Sequence, residues 1–288
     1  MPRVSEIVEW LGRRMPLELG EEWDNVGLLL GDPAAEVRSV MTCLTLTLDV
    51  VDEAIERGVQ LVVTHHPILF RPAQKLTTDS VDGAIVWRLA GQGVAVFSPH
   101  TAYDSAAAGI NQQLAEALGL KSIDALRPIE GGDDAAGRCD RPAEAAGSGT
   151  AVEGSGGSVV GAGRWGELEV TVRLGEFLQR VRDVLGVRHL RFVGEPDRVV
   201  RRVAVACGAG GSFLEDAVAC GCDVMLTGEA SFHTCLAARH RNLALVLPGH
   251  YASERPAMER LAERIGRAFP ELTAWASERE CDPIQWLC

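Results

Sequence analysis

The stretch Leu61-Val62-Val63-Thr64-His65-His66-Pro67 joins a short β-prone apolar run to two adjacent imidazoles and a proline. An apolar run of this length that stops at a proline reads as a fully buried strand, the kind found in a parallel sheet. The same pattern recurs twice further along the chain. Val94-Ala95-Val96-Phe97 runs into Ser98-Pro99-His100-Thr101-Ala102-Tyr103-Asp104, and Leu243-Ala244-Leu245-Val246-Leu247 runs into Pro248-Gly249-His250-Tyr251-Ala252-Ser253-Glu254. If these three strands lie side by side, their carboxyl ends open onto one crevice, where open α/β sheets bind ligands. His65, His66, Asp104, His250 and Glu254 would then meet in space. Imidazole with carboxylate suits zinc, iron, manganese or cobalt, zinc foremost among them. Adjacent histidines on an extended chain point to opposite sides, so the pair can serve two ions.

Helical patterns separate the apolar runs. They span residues 4–14, 50–57, 82–90 and 110–118, and later 174–185, 212–219, 231–239 and 255–268. Further strands fall at 40–48, 168–172, 189–193, 202–207 and 223–226, and residues 21–33 read as a compact loop. Strand and helix in alternation predict an α/β protein with a mostly parallel sheet and flanking helices. A chain of 288 residues exceeds what one core usually serves, so two domains are expected. Between 131 and 161 the composition turns to Gly, Ala, Ser, Asp and Glu, too apolar-poor to offset its ordering entropy. Residues 129–160 are therefore expected to form a flexible linker.

The totals exclude several classes. Apolar residues at 47% and charged ones at 24% describe an ordinary globular protein. The start lacks a signal core and no apolar run reaches membrane-spanning length, which points to the cytoplasm. A net charge of −12 opposes binding to phosphate backbones, and Arg198-Val199-Val200-Arg201-Arg202 reads as a solvated strand entrance. The eight cysteines lack paired zinc-ribbon spacing; Cys43, Cys207, Cys220 and Cys235 read as small buried hydrophobes.

Each candidate has a plainer alternative. Two consecutive histidines at a buried strand end would have to be desolvated together without a metal, which is costly. His250 and Glu254 share a helical face only if the helix of residues 255–268 starts one turn early. Asp104 precedes Ser105 and a helix, so it can also serve as an N-cap. His100 is read as an acid/base or ligand-supporting group, or as a cap of its own loop. Glu229, after Asp223-Val224-Met225-Leu226-Thr227-Gly228, is an acid/base candidate, with His233 four residues on; a helix-terminal carboxylate beside a surface imidazole accounts for both equally well. Cys207-Gly208-Ala209-Gly210-Gly211-Ser212 fits a phosphate-binding turn or a tight-packing turn better than a dinucleotide fingerprint, because Phe213 occupies the place of the third glycine.

Five stretches in order resemble the NIF-three-like (Ngg-interacting factor three) dinuclear metal centre family, many of whose bacterial members are named GTP cyclohydrolase I type 2 homologues. They are Glu22-Trp23-Asp24-Asn25-Val26-Gly27-Leu28, Thr64-His65-His66-Pro67, His100-Thr101-Ala102-Tyr103-Asp104, Thr227-Gly228-Glu229 and Gly249-His250-Tyr251-Ala252-Ser253-Glu254. The resemblance implies two divalent ions per subunit, with Glu254 bridging, His66 and Asp104 on one ion, and His65 and His250 on the other. It also implies a toroidal homohexamer, a cytoplasmic location and a nucleotide or other small-molecule substrate. The implied domain plan places a metal-binding part at 1–128, an inserted second domain at 161–241 and the rest of the metal-binding domain at 242–288. Many relatives carry consecutive histidines where this chain has Phe232-His233. The functions implied are a metal-dependent hydrolase of the GTP cyclohydrolase type, a non-catalytic metal-binding ring acting as scaffold or regulator, or a metal-dependent phosphoesterase.

Overall fold

The computed structural model describes residues 1–129, 160–285 and 287. The linker expected at 129–160 lies outside the described residues except at its two end positions. In chain order the first elements are α1 (Val4–Gly12), β1 (Gly27–Leu30), β2 (Ser39–Cys43), α2 (Leu48–Glu56), β3 (Leu61–Thr64), α3 (Val81–Gly91), β4 (Ala95–Ser98), α4 (His100–Ser105) and α5 (Ile110–Ala117). Then come β5 (Leu120–Pro128), β6 (Gly161–Arg173), α6 (Leu174–Leu185), β7 (Arg191–Val193), β8 (Val199–Ala206), α7 (Leu214–Ala219), β9 (Val224–Thr227), α8 (Phe232–His240), β10 (Ala244–Leu247), α9 (His250–Ala268) and β11 (Thr273–Ala276). They form two compact units, one of Met1–Ile110 with His250–Cys288 and one of Asn111–Gly249.

The first unit holds a five-stranded sheet in the order β1-β4-β3-β2-β11. Strands β4, β3, β2 and β11 run parallel, and β1 adds an antiparallel edge. The apolar runs at 61–64 and 95–98 are thus neighbours, as their composition suggested. Both are buried at every position, because a parallel sheet is covered on both faces. Met41, Cys43, Val62 and Val96 share one cluster with Val50, Val51 and Ala54 of α2 and with Ile85, Val86 and Leu89 of α3. On α9, Met258 O accepts a bond from Thr42 Oγ1 at 2.7 Å, fixing that helix beside β2.

The second unit holds a six-stranded mixed sheet, β5-β6-β8-β9-β10-β7. Its central strands show the two-residue period directly. Val203 and Val205 of β8, Val224 and Leu226 of β9, and Ala244 and Val246 of β10 pack with Leu174, Phe177 and Val181 of α6. The residues between them, Ala204, Ala206, Met225 and Leu245, pack with Leu214 and Ala217 of α7 and Ala238 of α8.

The structure corrects three expectations. First, the Leu243 run does not join the sheet of β3 and β4; β10 pairs parallel with β9 and antiparallel with β7 in the second unit. The units accordingly part at 110/111 and 249/250, where the expected boundaries stood near 128 and 242. Second, residues 27–30 are strand β1, set off by left-handed glycines at Gly27 and Gly31 (φ 116° and 110°). At Gly31 a Cβ would come within 2.5 Å of Ala95 Cβ, so the close approach to β4 requires glycine there. Third, β5 and β11 carry no regular apolar alternation and earn their strand conformation from partners, β6 and β2, distant in sequence. Arg201 and Arg202 pair with Glu167 of β6, so the basic stretch is spent on an ion-pair network. Cys43 and Cys220 are buried as expected, whereas Cys207 and Cys235 are only half-buried; burial pushes the thiol of Cys222 up to about 12.

Candidate metal centre

Three short segments of the first unit deliver donors to one place. Beyond β3 the backbone stays clamped: His65 N donates to Cys43 O at 3.0 Å, His66 N to Leu44 O at 2.8 Å, and Ser98 Oγ to His65 O at 2.7 Å. The chain bends at His65 and His66 rather than staying extended, so both rings turn toward one centre, 5.1 Å apart between centroids. Helix α9 begins at His250, the early start that places His250 and Glu254 one turn apart on one face. Asp104 lies in the last turn of α4, which starts at His100. It therefore does not cap a helix beginning at Ser105; its carboxylate instead faces His65, with Oδ1 3.8 Å from His65 Nε2.

The tightest donor group is His66, His250 and Glu254. The two Nε2 atoms are 3.3 Å apart, and Glu254 Oε2 stands 3.2 Å from one and 3.0 Å from the other. Donors bound at about 2.0–2.1 Å around a tetrahedral ion sit about 3.3 Å from one another, so this spacing is that of a ligand set. A second group flanks it. His65 Nε2 lies 3.8 Å from Asp104 Oδ1 and 3.9 Å from Glu254 Oε1, beyond hydrogen-bond reach but close enough to share an ion. His65 is 1% exposed, and its Nδ1 has no hydrogen-bond partner among the described residues. The two oxygens of Glu254 thus face different groups. His66 stands close to both His250 and Glu254, and His65 close to Asp104 and Glu254.

The electrostatics suit cations. Burial drives the His65 pKa well below its ordinary value; Glu254 opposes this and the neighbouring imidazoles reinforce it, leaving the neutral form that binds metals. Burial also penalises the Glu254 carboxylate, but hydrogen bonds from His250 and His66 outweigh it and hold the carboxyl well below the usual range.

Outside the donors, further side chains fix their orientation. Thr45 Oγ1 bonds His66 Nδ1 at 2.7 Å, leaving Nε2 to face the centre. Glu280 holds that loop by accepting from Leu44 N at 2.9 Å and Thr45 N at 2.6 Å, and it pairs with Arg255 Nε at 2.8 Å. His100 Nδ1 lies 2.8 Å from a buried Asp24 oxygen, and Asp24 also accepts from Thr101 N and Oγ1 at the start of α4. Burial works against ionisation of Asp24, yet these bonds carry its pKa down to about 2. A ring nitrogen of His100 lies within 4.8 Å of those of His65 and His66, and with Nδ1 engaged by Asp24 the remaining nitrogen is Nε2. Sequence reading gave no role to Thr45, Glu280 or Asp24. Only Asp24 had a signal, its place in the Glu22–Leu28 stretch; the other two act through contacts with distant residues.

The remaining candidates belong to the second unit. Glu229 follows β9 and its N–H donates to Gly208 O at 3.0 Å; His233 is exposed on α8 beside Phe232. The glycine-rich turn after β8 is built for close packing. A Cβ at Gly210 would stand 2.7 Å from Ala206 Cβ and 2.8 Å from Thr227 Oγ1, and Gly210 N donates to that hydroxyl at 2.9 Å.

The profile of the DUF34/NIF3 family (NGG1p interacting factor 3) matches residues 2–283. The chain belongs to the DUF34/NIF3 family. A "GTP cyclohydrolase 1 type 2 homolog" of Clostridium acetobutylicum is 32% identical across 99% of this chain and 98% of its own length. The Drosophila melanogaster "NIF3-like protein 1" is 29% identical across 98% of this chain and 88% of its own. A Bacillus cereus protein related to NIF3 superposes with a TM-score of 0.84 at 25% identity, covering 100% of this chain and 99% of the other. That superposition spans both compact units, so the two-unit α/β architecture is shared with this relative. Among the described residues no helix is long and apolar enough to cross a membrane.

Proposed function

We propose that this DUF34/NIF3 chain is a dinuclear divalent-metal protein that acts as a hydrolase, with His65, His66, Asp104, His250 and Glu254 as ligands. The observation that carries the reading is the Glu254 carboxylate, whose two oxygens face two separate donor groups. A cation pair, zinc first, would supply Lewis acidity and an activated water at neutral pH. The chain's own residues supply the rest. Glu254, Asp104 and the imidazoles of His65, His66 and His250 would hold the cations, Asp24 fixes the ring of His100, and His100 would move a proton at Nε2. Relatives named GTP cyclohydrolase 1 type 2 homologs support a purine nucleotide as substrate, with ring opening and formate release as the reaction. The proposal extends to a cytoplasmic ring of six chains, the assembly and location that the family resemblance implies.

The test is elemental analysis of protein purified without chelator, followed by incubation with GTP. Two metal equivalents per chain and formate release are expected. One equivalent or none rejects the dinuclear centre. Two equivalents without formate, but with hydrolysis of generic phosphodiesters, moves the assignment to a phosphoesterase; two equivalents with no turnover at all leaves a metal-binding scaffold or regulator. Light scattering checks the six-chain mass.

A further inference from the structure

Trp23 and Phe70 are 61% and 45% exposed, although both border the histidine cluster. Their rings meet edge to face with centroids 5.8 Å apart. Each meets His100 in the same manner, at 6.3 Å and 6.2 Å. His100 in turn lies 5.1 Å from His65 and 5.7 Å from His66, so one aromatic surface runs from the ligands to solvent.

The presentation of these rings is built rather than incidental. Asn25 Nδ2 donates to Leu69 O at 2.9 Å, tying the loop of Trp23 to that of Phe70. Next to Trp23, the buried Asp24 anchors its loop to His100 and Thr101. Leu69 and His100 both adopt left-handed backbone, φ 56° and 28°, which side chains other than glycine disfavour. Strain held in place by a polar network at the rim of a site marks pre-organisation. Exposed π-faces fixed in this way recognise other flat rings, and stacking tolerates changes of ring identity.

We propose that Trp23 and Phe70 form the wall that receives the flat heteroaromatic ring of a small-molecule substrate whose polar part reaches the His65/His66/His100 centre, which makes them the residues that select ring-bearing ligands over ring-free ones. This rests on the metal-centre reading of the site, and not on ring opening of GTP. Indole and phenyl faces take the ring by stacking, while the imidazole side of the cleft takes the polar portion.

Calorimetric titration of the full chain, as purified with its metal, tests the wall with three probes: guanosine, adenosine and inorganic triphosphate. At least one nucleoside is expected to bind the wild type. Trp23→Ala and Phe70→Ala should each weaken that binding by about tenfold or more, with Trp23→Phe retaining most of it. Inorganic triphosphate, which has no ring, should bind all variants alike. Both substituted side chains are exposed, and an unchanged circular dichroism melt confirms folding. Absence of binding by either nucleoside overturns the proposal, as does equal nucleoside affinity in the wild type and Trp23→Ala. A fall in oligomeric mass in Trp23→Ala with unchanged nucleoside affinity also overturns it, assigning the rings to contact with a second copy. Metal content below two equivalents fails the dinuclear reading, whereas Trp23-dependent nucleoside binding without formate release from GTP keeps the wall and rejects only the cyclohydrolase reaction.

Discussion

At the scale of single residues, the centre depends on a carboxylate that is buried yet ionised. Glu254 sits within reach of three imidazoles, and each of its oxygens serves a different set. Replacing Glu254 with Gln keeps the size and one acceptor oxygen but removes the charge and turns one oxygen into an amide donor, which repels a cation. Glu254→Gln is expected to retain less than about one tenth of the wild-type metal affinity, since losing a ligand should cost at least the roughly tenfold seen at the lower end for neighbours of ligands. Metal content after dialysis against a weak chelator measures it, and full occupancy would place the bridge elsewhere. Thr45 illustrates a residue that matters through another. Its hydroxyl leaves His66 Nε2 facing Glu254 and His250, so its effect is one of orientation.

At the scale of elements, two joints hold the site and its neighbour in shape. Glu53 on α2 accepts from Ser277 Oγ at 2.6 Å, Trp275 Nε1 at 3.1 Å and the backbone N–H groups of Glu278 and Arg279, both at 3.0 Å, stitching the segment after α9 to the sheet. Burial opposes its ionisation, but these bonds win and its pKa falls below the ordinary value. A depressed carboxyl stabilises the fold above the unfolded pKa of about 4.3 and loses that contribution as pH falls through the folded value. Glu53→Gln should therefore cost about 2 kcal/mol at pH 7. The gap in denaturant midpoint between wild type and variant should narrow as pH drops below about 4. A gap independent of pH would mean that the carboxylate's charge is immaterial. In the second unit, Gly210→Ala forces a methyl against Ala206 and Thr227 and should destabilise by about 1–3 kcal/mol. A thermal melt at neutral stability would show that the turn has room, reopening the phosphate reading.

At the scale of the molecule, the proposed ligands all belong to one compact unit, Met1–Ile110 with His250–Cys288, and they come from both of its sequence segments. Metal bound only by the folded form stabilises that form by mass action. Chelation should therefore lower the unfolding temperature of the first unit and leave the second, Asn111–Gly249, melting as before; calorimetry would resolve the two transitions. A single transition that shifts as one would show that the units unfold together.

The strand-end donors and the alternating α/β grammar could be read from residue pattern alone, because short buried runs and stop residues are local signals. His65, His66, Asp104, His250 and Glu254 were each legible from their position after an apolar run, and all five converge. Only the tertiary structure decided that β10 belongs to the other sheet, that α9 rather than a strand end carries His250, and that β5 and β11 are strands at all. It likewise decided that Asp24, Thr45 and Glu280 brace the donors. Strand partnership and hydrogen bonds between remote residues depend on which surfaces meet after folding, and a local pattern of residue types holds no record of that meeting.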